Sequence, residues 1–62
     1  MNKEEIIDLM INSVMEDMRN GYKHSGMPEK EIDELLTKGN DTMVFLMVNL
    51  FNKMKAAKVI NL

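Results

Sequence analysis

The stretch Met43-Val-Phe-Leu-Met-Val-Asn-Leu-Phe51 constrains the fold more than any other part of the chain, with Asn49 its one polar residue. A helix of that composition is apolar on every side, and such a helix has to be covered all round. A chain of 62 residues has little to cover it with, since a domain of this size buries only about 60% of the surface its unfolded chain exposes. The stretch therefore predicts a partner, and a second copy of the same chain is the simplest one.

Composition narrows how so small a core is held together. Small proteins rely on disulfides, a bound metal or oligomerisation. With no cysteine and a single histidine, disulfides and thiolate or histidine-rich metal sites are excluded. Oligomerisation is left. The formal charge of −2 is too small to predict a nucleic-acid groove or a polybasic membrane patch. The acidic start, Met-Asn-Lys-Glu-Glu, is unlike a basic signal peptide, and the apolar run at 43–51 is about half the length a membrane span needs. These features predict a cytoplasmic protein. The bias toward Lys, Asn, Ile, Met and Glu points to an A+T-rich genome, as in low-GC bacteria and their phages.

Periodicity predicts one helical domain over 1–62. A first helix is expected over about 3–20, where Ile7, Met10, Ile11, Val14 and Met18 repeat at i, i+3 and i+4. Ile6, Leu9 and Met15 widen that stripe. Asn2 is the expected N-cap and Gly21 the expected stop. Residues 21–27, with Gly21 and Gly26, read as a turn. A second helix starts at Pro28, a favourable first helical residue, with Ile32, Leu35 and Leu36 as its buried face.

Gly39-Asn40-Asp41-Thr42 leaves two architectures open. Either the second helix ends at Lys38 and a third restarts over 42–58, or one long helix runs through. The apolar register favours continuity, because Ile32, Leu35/Leu36, Gly39, Met43, Leu46/Met47, Leu50 and Met54 keep one face. Propensity opposes it, as an interior glycine costs about 1 kcal/mol against alanine. Charge tilts toward the hairpin. It brings Arg19 and Lys23 near Glu29, Glu31 and Glu34, and it turns the acidic start of the first helix toward Lys53, Lys55 and Lys58. The fold class is all-α: a helical hairpin, or three helices broken near Gly39, completing its core as a homo-oligomeric helical bundle.

Two groups of residues stand out as candidate sites. Met43, Phe45, Leu46, Met47, Leu50, Phe51 and Met54 are the expected oligomer interface. The methionines suit either core filling or an adaptable binding surface. Arg19, Tyr22, Lys23 and His24 form the one cluster of mixed polar chemistry, near a turn. A tyrosine that stacks on a base and a lysine that meets a phosphate suit a small nucleotide ligand if a second protomer completes the pocket. The carboxylate pairs Glu4/Asp8 and Glu29/Asp33 read as solvated faces near helix starts. Ser25 beside His24 lacks a third group to orient a base. No catalytic residue, cofactor or metal is expected.

Thr37-Lys38-Gly39-Asn40-Asp41 is similar at only two positions to the Ser-Gln-Glu-Leu-Asp motif on the second helix of the Spo0E-like aspartyl phosphatases, which are small helical hairpins, and the chain is not assigned to that family. The hydroxyl residue and the final acid agree. Gly39 and Asn40 depart from the pattern at its centre and at the leucine before the acid. The resemblance implies a role for Asp41 on a phosphorylated response regulator.

Function is expected to be non-enzymatic: a regulator or phage-type inhibitor that binds itself and a host protein. An oligomeric sponge for a nucleotide signal is the alternative, and an aspartyl-phosphate phosphatase a lesser one.

Overall fold

The computed structural model describes residues 1–61, which form two antiparallel helices and no strand. Helix α1 spans Lys3–His24. Its start is a capping box. The Asn2 side chain accepts from the Glu5 backbone N–H at 2.9 Å, and the Glu5 carboxylate accepts from the Asn2 N–H at 3.4 Å. Two amide donors that helix geometry leaves without partners are thereby satisfied.

The helix runs one turn past Gly21, the stop expected from sequence. Its end lies instead at Gly26, the glycine with positive φ (88°). There the Met27 N–H donates to the Tyr22 carbonyl and the Gly26 N–H to the Lys23 carbonyl, which is the Schellman closure. Ser25 adds a side-chain bond to the Gly21 carbonyl at 2.8 Å. The extra turn carries Tyr22, which is half-buried, and Lys23, which pairs with Glu29 across the hairpin.

Helix α2 spans Glu29–Ala56 without interruption. Pro28 is its N-cap and not its first helical residue, and its carbonyl accepts from the Ile32 N–H. Of the two architectures the sequence left open, the structure adopts the continuous one. Asn40, Asp41 and Thr42 stay exposed, so their polar groups keep water. The penalty for Gly39 is local, about 1 kcal/mol. Continuity in return lays Met43, Met47, Phe51 and Met54 along α1. The helix ends in a second Schellman closure, with the Val59 N–H on the Met54 carbonyl and the Lys58 N–H on the Lys55 carbonyl. Here the left-handed residue is Lys58, at φ 60°.

The core is a single seam. Ile7, Ile32, Leu36 and Phe51 are buried, flanked by half-buried Met10, Ile11, Val14, Met15, Met18, Met43, Met47 and Met54. Leu9, read as part of the stripe, is exposed. Two residues from Ile7 places it about 160° round the helix, away from α2. The molecule is a rod of 40 × 19 × 18 Å with a radius of gyration of 13.6 Å, against about 10.6 Å for a compact domain of this length.

Candidate interaction surface

The second half of α2 has more apolar surface than α1 can cover. Phe51 is 1% exposed, yet Phe45 is 65%, Leu46 50% and Leu50 43% exposed, with Leu35 at 44% further up the same helix. Two contacting helices hide only the stripe each turns to the other. The accessible surface is 4788 Å², whereas a compact monomer of this mass exposes about 4,100 Å².

The residues expected at an oligomer interface fall into three groups. Phe45, Leu46 and Leu50 are exposed. Met43, Met47 and Met54 are half-buried on the seam's margin. Phe51 is enclosed within the hairpin, where the Lys3 ammonium stands 5.7 Å from its ring centroid. Within the protomer Phe51 thus serves the core. That contact also lies where the sequence suggested ion pairs between the start of α1 and the lysines of α2. Among the described residues the ion pairs are Arg19–Asp33 and Lys23–Glu29.

Val44, inside the apolar stretch, adds to the exposed apolar surface, as does Leu35, which the sequence placed on the buried face of the second helix. The signal for Leu35 was available in the sequence. At 3.6 residues per turn it stands about 100° from Leu36 and about 60° from Ile32, which puts it on the flank of the stripe and not at its centre.

The polar cluster near the turn is partly engaged already. The Arg19 guanidinium donates to Asp33 Oδ1 at 2.7 Å, and Lys23 Nζ is 3.2 Å from Glu29 Oε1. Tyr22 is half-buried beside the Schellman closure, and His24 is exposed. The four residues thus occupy the last turns of α1, but both cations face carboxylates of α2 in place of a shared open pocket. Next to them runs a cleft of about 380 Å³, whose lining includes Arg19, Asp33, Thr37 and Asp41. Thr37 and Asp41, the two positions shared with the phosphatase motif, are one helical turn apart and both exposed.

Among the described residues no three His, Cys, Asp or Glu side chains are grouped to hold a metal ion. No helix there is long and apolar enough to cross a membrane. No protein family, curated protein or solved structure matches the chain.

Proposed function

We propose that this protein is a non-enzymatic interaction protein, a small regulator or inhibitor that assembles with itself and occupies a surface on another macromolecule. The observation that carries this reading is the run of exposed apolar side chains on α2, from Leu35 through Phe45 and Leu46 to Leu50. Large exposed side chains in one region of so small a protein mark a binding surface. Phe45 is the best anchor for a foreign partner. It is the most exposed large hydrophobic side chain in the interior of either helix, and aromatic anchors dominate interface energetics.

The nucleotide-sponge alternative receives less support, because a ligand phosphate would have to compete with Asp33 and Glu29 for Arg19 and Lys23.

The test is affinity capture from lysate of the source host, with the wild type and Phe45→Glu side by side. The expected result is a host protein retained by the wild type and lost by the variant, while both variants keep the same solution mass. Recovery of nothing but the protein itself overturns the reading.

A further inference from the structure

We infer that α2 pairs antiparallel with α2 of a second copy, along the stripe Leu35, Gly39, Thr42, Leu46 and Leu50, with the two-fold axis beside Thr42. This deepens the oligomeric part of the function proposed above and rests on it.

Three observations fix the occupant and its direction. The first is spacing. Leu35, Gly39, Thr42 and Leu46 follow one another at intervals of four, three and four residues, the repeat of a helix–helix seam. Leu50 follows four residues on, one position past the strict repeat, and all five positions are exposed in the protomer. This seam lies beside the one filled by α1, so a second helix can dock without disturbing the hairpin.

The second is charge. The first turns of α2 carry four acids, Glu29, Glu31, Asp33 and Glu34, against one cation, Lys30, and its last turns carry Lys53 and Lys55, with Lys58 just beyond. Glu31, Glu34, Lys53 and Lys55 take part in neither ion pair of the protomer. An antiparallel partner lays its basic end against this acidic end, with Glu31 opposite Lys53. A parallel partner sets like against like.

The third is space and area. A Cβ added to Gly39 meets no heavy atom within 4 Å, so the notch is open on the outside of the hairpin. With the axis beside Thr42, Leu46 of the second copy falls on that notch and Leu50 falls opposite Leu35. The exposed Leu35, Leu46 and Leu50 side chains supply the apolar area for this pairing, in a class of interface where each partner contributes about 800 Å². Phe45, about 100° round the helix from Leu46, is left outside the pairing and open to a different partner.

The chain has no cysteine, so single cysteines report the geometry directly. Solution mass is measured by light scattering across a dilution series. Thr42→Cys is oxidised alone. Glu31→Cys and Lys53→Cys are treated with a short bis-maleimide, separately and mixed. The expected result is a dimer in which Thr42→Cys forms a disulfide. Glu31→Cys links to Lys53→Cys but not to itself, since the two copies of residue 31 stand about 33 Å apart along the axis. An oligomer in which Glu31→Cys links to itself, or in which Thr42→Cys fails to link, overturns the pairing and leaves an oligomeric protein standing. A helical monomer at every concentration overturns the pairing and the oligomer together.

Discussion

The two halves of α2 have the same backbone and opposite surfaces. From Glu29 to Lys38 the helix is amphipathic: Ile32 and Leu36 are buried, and Glu29, Glu31, Asp33 and Glu34 are exposed to water or to cations of α1. From Met43 to Phe51 it is apolar nearly all round, yet only Phe51 is buried, and Phe45, Leu46 and Leu50 face outward. The first half carries the polarity a two-helix fold calls for. The second carries more apolar surface than that fold can use, and that excess is the part of the sequence that the hairpin does not explain.

The sharpest way to break this contrast is to compare the two phenylalanines. Phe51→Ala removes a fully enclosed ring, and losses of about 3–5 kcal/mol are usual for such truncations. In a chain this small the expected outcome is loss of helical circular dichroism at room temperature. Phe45→Ala, six residues away, should leave unfolding of the protomer within about 0.5 kcal/mol of wild type. Equal destabilisation by the two would mean that both halves serve the protomer fold alone.

Leu46→Glu is expected to act next most strongly, and on mass, not on helicity. If copies pair as inferred above, light scattering should find a dimer for the wild type and a monomer for the variant at the same concentration, with the circular dichroism spectrum retained. An unchanged mass would place the self-contact elsewhere.

The helix ends offer a smaller comparison. Both close in the same hydrogen-bond pattern, with glycine in the left-handed position at Gly26 and lysine at Lys58. That conformation costs a residue with a Cβ about 1–2 kcal/mol. Lys58→Gly should therefore stabilise and Gly26→Ala destabilise, each by about 1 kcal/mol, read as opposite shifts in urea midpoint. The smallest effect is expected at Arg19→Ala, because its bridge to Asp33 is largely exposed to solvent and such pairs contribute ~0–1 kcal/mol.

Much of this was legible in the sequence. The 3.6-residue period gave both helices, Asn2 gave the first cap, and the apolar register across Gly39 favoured the continuous helix that the structure has. What escaped depended on which residue faces which. Gly21 and Gly26 look alike as helix stops. Only the second takes positive φ, and the Schellman bonds of Gly26 and Met27 close the helix there. Phe45 and Phe51 are likewise both aromatic residues in one apolar run. A crossing of two helices buries one and leaves the other exposed, and where that crossing lies is set by packing that composition does not contain.

The short link between the helices, Ser25 to Pro28, has a kinetic consequence. Nearly all contacts are local, and closing so short a loop takes about 10–100 ns, while helix–coil relaxation takes about 0.1–1 μs. At micromolar concentration, protein encounters with ordinary rate constants of about 10⁵–10⁷ M⁻¹s⁻¹ recur only on a scale of tenths of a second to seconds. A lone copy therefore has ample time to form its hairpin before it meets another. Pairing of the kind inferred above should then follow simple second-order kinetics, with its speed set by how often copies meet.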